Sequence, residues 1–249
     1  MGESIKRIVG PYQDSYSPNG IIGEKDACGV GFIANIKGIE SNWILKQSLK
    51  GLNCMEHRGG CGGDSDSGDG AGILCSIPWG YLEEEMNLKN TKELNRGLGM
   101  VFMPNKKEKI EECKSICEEE AEKLRVKDTS WRTVPVNNEI LGPLAKANVP
   151  YICQWILYID TKDNQNIEKL LFQLRKRIEK KIRDTFKIDV GDCEFYFASL
   201  SSQTVVYKGM VRSEILSEFY QDLKKENFKV SFSVYHRRFS TNTLSLIHI

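Results

Sequence analysis

The sequence lacks a charge imbalance, a long apolar run and paired cysteines, and each absence removes a class of function. Lys plus Arg number 35 against 34 Asp plus Glu, a formal charge of +1. No global basic field is available to draw nucleic acid or anionic lipid, so neither partner is expected. No stretch of about 18 apolar residues could form a membrane helix. Residues 1–17 have no apolar segment like that of a secretory signal, and they are not Arg-rich and acid-poor like an import peptide. Only three histidines are present, and the eight cysteines (28, 54, 61, 75, 113, 117, 153 and 193) include no C-x-x-C pair. Their thiols should stay reduced, so packing, metal or catalysis must explain each one.

What is present fits a soluble globular chain. Its 249 residues are 40% hydrophobic and 28% charged. A chain of that length buries about 70% of its unfolded surface and needs no disulfides. Residues 1–27 are polar and turn-rich, with Gly10-Pro11 and Ser17-Pro18-Asn19-Gly20, and read as a leader outside the core. From Gly29 to Ile36 the pattern alternates, with Val30, Phe32, Ala34 and Ile36 on one face of an expected half-buried strand. Ile44, Leu45, Leu49 and Leu52 take helical spacing. The run GGCGGDSDSGDGAG at 59–72 is too glycine-rich for a helix or a plain strand.

Further on, a strand is expected over 97–103, a helix through Ile110, Cys113, Cys117, Ala121 and Leu124, and a buried strand over 151–160. Ile167, Leu170, Leu171, Leu174, Ile178 and Ile182 mark the best amphipathic helix. Residues 195–207 read as a hairpin turning at Ser201-Ser202. A helix through Ile215, Leu216, Phe219, Tyr220 and Leu223 follows, with Ser213 as its N-cap. Phe228, Val230, Phe232 and Val234 form the apolar side of a last strand. Hairpins and separated helices, without strict βαβ alternation, indicate an α+β fold.

Several constellations invite chemistry. Gly29-x-Gly31-x-x-Ala34 has dinucleotide-site spacing but begins a strand and opens no helix. Gly63 and Gly68 have P-loop spacing, yet Asp69 stands where the phosphate-binding Lys belongs. Asp64-x-Asp66 starts like a calcium loop, but Cys75 replaces its bidentate Glu. All three are rejected. Cys54-x-x-His57-x-x-x-Cys61 offers zinc-type ligands without a second paired spacing. Cys113 and Cys117 share an apolar helical face and read as core.

Cys28 stands at the join between leader and first strand. Exposed as an N-terminal residue, it would carry a thiol nucleophile beside an α-amine of pKa about 7.7–8.0, which can act as base for its own side chain. The other reading is a buried strand cysteine. Arg58 and the pair Arg237-Arg238 could each grip a carboxylate bidentately. From the residues alone, each also reads as a solvated surface charge.

Family resemblance links these features. ACGVGF at 27–32 resembles the start of the mature glutamine amidotransferase domain of the glutamate synthase family. CMEHRGGCG at 54–62 and DSGDGAG at 66–72 resemble its glycine loop, continued by SIPW at 76–79. SLSSQT at 199–204 with YKGM at 207–210 resembles its hairpin, and YHRRFSTNT at 235–243 its glutamine-site strand. The matching blocks span about 24–243 and lean towards the ferredoxin-dependent form.

The resemblance implies an α+β fold of the N-terminal-nucleophile hydrolase type, a four-layer αββα sandwich left incomplete at its C-terminus. Residues 1–27 would be a propeptide, 28–243 a partial amidotransferase domain and 244–249 a non-matching tail. Cys28 would attack the side-chain amide of L-glutamine, Arg58 would help order Cys28, and Arg238 would pair with the substrate α-carboxylate, with Thr241 nearby. No metal or cofactor is expected in this stretch. The full enzyme would use FMN and an iron–sulfur cluster in downstream synthase domains. Its electron donor would be ferredoxin, or a pyridine-nucleotide-oxidising subunit or domain, in plastid stroma or bacterial cytoplasm. In this family the Asn-Gly pair of the oxyanion hole and the aspartate that binds the substrate amine come later than residue 249. Loss of a single oxyanion donor costs about 10²–10³ in rate, so this stretch alone is expected to be inactive. The competing expectations are a metal-binding or interaction module centred on Cys54, His57 and Cys61, and a non-catalytic fragment that pairs with another subunit.

Overall fold

The computed structural model describes residues 29–56, 67–88, 94–124, 126–160, 164–187 and 195–237. They form an α+β fold with two antiparallel four-stranded sheets. The first half supplies β1 (Gly29–Ala34), α1 (Asn42–Cys54), β2 (Ser67–Ser76), α2 (Trp79–Met86), β3 (Asn95–Met103), α3 (Lys107–Glu122) and β4 (Val126–Thr133). The second supplies α4 (Pro143–Ala147), β5 (Tyr151–Ile159), α5 (Asn164–Phe186), β6 (Tyr196–Ser201), β7 (Thr204–Val211), α6 (Ser213–Phe219) and β8 (Phe232–Arg237). Strand order is β1-β8-β2-β7 in the first sheet and β4-β5-β3-β6 in the second. Among the described residues, no helix is long and apolar enough to cross a membrane.

The long amphipathic helix lies where the spacing puts it. Ile167, Leu171, Leu174, Ile178 and Ile182 of α5 are all buried, as are Cys113, Ile116 and Cys117 of α3. Both helices pack against Val101, Cys153, Trp155, Leu157 and Phe197 on one face of the second sheet. Each such aliphatic side chain contributes about 1.5–3 kcal/mol by leaving water. Met100, Phe102, Ile152 and Ile156, on the other face, join Ile73, Val205 and Tyr207 of the first sheet and Leu45 and Leu52 of α1 in a second cluster.

A buried polar network crosses that cluster. Asp222 accepts Nη1 and Nη2 of Arg132, each at 2.8 Å, and the hydroxyls of Tyr81 and Tyr207 at 2.7 and 3.0 Å. Gln154 accepts from Arg132 at 2.8 Å and donates to Tyr207 at 2.9 Å. Burial works against the Arg132 charge, but the bonds to Asp222 and its carboxylate raise the guanidinium pKa above its ordinary value. Burial and the same carboxylate push the Tyr81 hydroxyl up as well.

Five expectations need correction. The apolar stripe of β1 faces outward: Val30 is 67% and Phe32 75% exposed, and Ile36 beyond the strand is fully exposed. The inward face holds Gly31, which leaves room for the Tyr235 ring. On β8, likewise, Ser233, Tyr235 and Arg237 are buried while Val234 is exposed. The glycine run is strand from Ser67 onward, because β7 and β8 flank it and supply ladder partners on both sides. Its irregularity is a register shift between Ser67 and Ala71, with Gly70 at φ 111°, a backbone conformation glycine adopts without penalty. The segment over 195–207 is not a paired hairpin, since β6 joins β3 and β7 joins β2 in different sheets. Ser213 is the first residue of α6, not its cap, and the helix ends at Phe219, with a 3₁₀ turn over Gln221–Lys224 beyond it. Neither α2 nor β4 has a periodic sequence signal.

Candidate active site

Cys28, Arg58, Arg238 and Thr241 lie outside the described residues, as do His57 and Cys61. The described chain next to Cys28 and Arg238 converges at one end of the first sheet. Gly29 at the start of β1 pairs with Arg237 at the end of β8. Arg237 pairs on its other side with Ala71 of β2. Three segments distant in sequence therefore share a single cross-strand row: the one after Cys28, the one before Arg238, and the end of the glycine loop.

A guanidinium sits beneath that row. The Arg237 side chain is fully buried, and its Nε and Nη2 donate to Oε2 and Oε1 of Glu56, both at 3.2 Å. This is the fork geometry that makes arginine–carboxylate pairs strong. Nη1 donates to the Gly70 carbonyl at 2.9 Å. The kink at Gly70 thus offers the guanidinium a carbonyl, and a residue with a Cβ would be strained there. Glu56 follows α1 by two residues, and the intervening Met55 packs against Gly29, where a Cβ would stand 2.6 Å from Sδ.

Glu56 has further donors. It accepts Arg212 Nε at 3.1 Å and the backbone N–H of Ser213, at the start of α6, at 3.1 Å. Burial alone would raise the Glu56 pKa. Hydrogen bonds from Ser213 and Arg212 and the charge of Arg237 outweigh it, so the carboxyl is held below its ordinary range. Carboxylate binding by the Arg237-Arg238 pair was an expectation from sequence. Arg237 does bind a carboxylate, but that of Glu56 in the same chain, which removes it as a substrate ligand. Both residues stand inside family-like blocks, at 54–62 and 235–243, and that was the signal available for them.

On the opposite face of the same strands, Gly72 lies between His236 and Lys208. A Cβ at Gly72 would stand 2.5 Å from His236 Cε1, so glycine allows the imidazole to lie across the strand. Burial, then the Lys208 charge, lowers the His236 pKa. Burial, then Arg175, lowers that of Lys208, whose Nζ lies 4.9 Å from the Tyr196 ring centroid. Both effects favour the neutral imidazole.

The cysteines divide by burial. Cys54 is exposed at the end of α1, while Cys75, Cys113, Cys117 and Cys153 are buried. Burial pushes the thiols of Cys75 and Cys153 up to about 12. Among the described residues no group of three His, Cys, Asp or Glu could hold a metal ion.

Comparison with known proteins gives a consistent set of matches. A sequence model of the family described as glutamine amidotransferases class-II matches residues 28–246. The chain is 44% identical over 237 residues to a chloroplastic ferredoxin-dependent glutamate synthase of Oryza sativa subsp. japonica, covering 94% of this chain and 14% of that protein. It is 44% identical over 227 residues to ferredoxin-dependent glutamate synthase 1, chloroplastic/mitochondrial, of Arabidopsis thaliana, covering 90% and 14%. Identity to ferredoxin-dependent glutamate synthase 2 of Synechocystis sp. is 42% over 228 residues, again covering 90% and 14%. The chain therefore spans about one seventh of the length of these relatives.

Proposed function

Because the chain belongs to the class II glutamine amidotransferases, we propose that it is the glutamine-hydrolysing part of a ferredoxin-dependent glutamate synthase, with Cys28 as nucleophile. The observation that carries this reading is the cross-strand row at the sheet end. Gly29, which follows Cys28, pairs with Arg237, which precedes Arg238. The family match also begins at residue 28, so removal of residues 1–27 would leave the thiol and a free α-amine on one residue.

On this reading the α-amine takes the Cys28 thiol proton, and the sulfur adds to the side-chain carbonyl carbon of L-glutamine. The tetrahedral adduct collapses as the amine returns the proton to the departing nitrogen, which leaves as ammonia. A γ-glutamyl thioester remains. Water, deprotonated by the same amine, attacks that thioester, and collapse returns the proton to sulfur and frees glutamate. Arg238 holds the substrate α-carboxylate, with Thr241 in the same motif, and Arg58 helps order the Cys28 end. The neutral overall charge suits a small zwitterionic substrate, which needs a few placed groups and no extended field.

The wider assignment follows the relatives' names. Ammonia would serve the reductive amination of 2-oxoglutarate in other regions of a longer synthase, with ferredoxin as electron donor, in a chloroplast or a cyanobacterial-type cell. FMN and the iron–sulfur cluster belong to those regions, and glutamine hydrolysis uses neither. The layering is proposed to be the αββα sandwich of N-terminal-nucleophile hydrolases, with α3 and α5 as one outer layer.

The test uses the full-length synthase. Intact-mass and N-terminal analysis should give Cys28 as the first residue of the mature chain. An electrophilic glutamine analogue should add one label, at Cys28. A different mature N-terminus, or a label on another thiol, overturns the reading.

A further inference from the structure

We propose that Glu56 and Arg237 are positioning residues for glutamine hydrolysis, an ion pair with a buried guanidinium that sets the spacing between the nucleophile and the substrate-binding arginine. The proposal rests on the functional reading above. Its basis is connectivity around one guanidinium. Arg237 is bonded to Arg238, the proposed substrate-binding arginine, and its backbone pairs with Gly29, which carries Cys28 on its N-terminal side. Its side chain holds Glu56, two residues before Arg58. Its third nitrogen holds the Gly70 carbonyl at the end of the glycine loop. Each of the three proposed site residues thus lies one or two residues from a group this pair fixes.

The geometry suits positioning better than general support. A salt bridge that served only stability could sit anywhere, and one with a buried guanidinium gains little over apolar packing. This guanidinium instead uses all three nitrogens, two on Glu56 and one on the Gly70 carbonyl, and Glu56 is itself braced from behind by Arg212 and the Ser213 N–H. Lysine could hold Glu56 or Gly70 but has no planar fork to hold both. A displacement of about 1 Å in a reacting group can cost about 10²-fold in rate, so a brace at this distance has kinetic leverage.

The experiment is steady-state glutamine hydrolysis by full-length synthase carrying Glu56→Gln, Arg237→Lys, or the pair Glu56→Gln/Arg237→Met. The pair leaves no unbalanced buried charge, so it keeps the test usable if a single substitution prevents folding. Expected for Glu56→Gln and for the pair is a fall in kcat/KM of about 10²-fold, made of lower kcat together with raised glutamine KM. Arg237→Lys should fall between these and wild type. Partial unfolding would instead lower kcat in proportion to the folded fraction at unchanged KM. Folded variants with wild-type kcat and KM overturn the proposal. So does failure of every variant to fold, which would make the pair a folding element. Wild-type synthase that neither hydrolyses glutamine nor is labelled at Cys28 overturns the functional reading itself, whatever the variants do.

Discussion

The Tyr235 ring lies between two glycines, Gly31 of β1 and Gly51 of α1. A Cβ on Gly31 would stand 2.5 Å from the ring's Cζ, and one on Gly51 would collide with the same phenol. The ring belongs to a buried residue. It is the piece that seats α1 on the first sheet, close to the end where Gly29 meets Arg237.

Gly31→Ala should therefore destabilise the fold by about 1–3 kcal/mol, the usual cost of overpacking. Gly51→Ala is the sharper case, since alanine in a helix interior otherwise gains about 0.5–1 kcal/mol over glycine. Its expected sign is destabilising. Urea denaturation of each variant, alone and in a Tyr235→Leu background, checks this, because the smaller side chain should remove most of the penalty.

Asp222 balances Arg132 in the interior and anchors two tyrosine hydroxyls. Asp222→Ala should cost about 3–5 kcal/mol, the range for leaving a buried charge unpaired. Adding Arg132→Met should recover part of that loss, so a double-mutant cycle should show coupling well above the cost of a surface ion pair.

Stability should fall on the acid side in two stages. The His236 pKa is lowered in the fold, so the unfolded chain binds the proton more readily. Its contribution is complete above about pH 6.5 and is lost as pH drops through the folded value. Glu56 acts lower, its contribution disappearing as pH falls from the ordinary carboxylate range through its depressed folded pKa. In denaturation series across pH, His236→Gln should flatten the first stage and leave the second.

Thiol reactivity should separate the five described cysteines. Cys54 is exposed and should react with a disulfide reagent in the native state, whereas Cys75, Cys113, Cys117 and Cys153 should react only on unfolding. Peptide mapping after brief labelling reads this directly. Rapid native labelling at Cys113 would contradict the packing of α3 against the second sheet.

Local signals revealed the elements whose packing is local in pattern. Five apolar residues of α5 at helical spacing are all buried, and β5, apolar almost throughout, is buried almost throughout. The orientation of β1 and β8 was hidden because the apolar stripes there point outward. Their inward sides are built from glycine, serine, tyrosine and arginine matched across strands, which no single-strand periodicity records. β4 was silent for a similar reason: VKDTSWRT is a polar edge strand that pairs on one side only. At the site, Cys28, Arg58 and Arg238 are expectations from motif resemblance, whereas the ion pair of Glu56 depends on a partner 181 residues away. Burying that guanidinium requires the sheet to be assembled first.

The turn between β6 and β7 has a mechanical consequence. Ser201 ends a strand of one sheet, Thr204 begins a strand of the other, and only two residues intervene. The three peptide units from Ser201 to Thr204 reach about 11 Å at full stretch. Glu168 of α5 also grips the turn, accepting from the Ser201 hydroxyl and from the Ser202 hydroxyl and N–H. The sheets therefore cannot slide apart there, and a twist imposed on one is passed to the other through three peptide units.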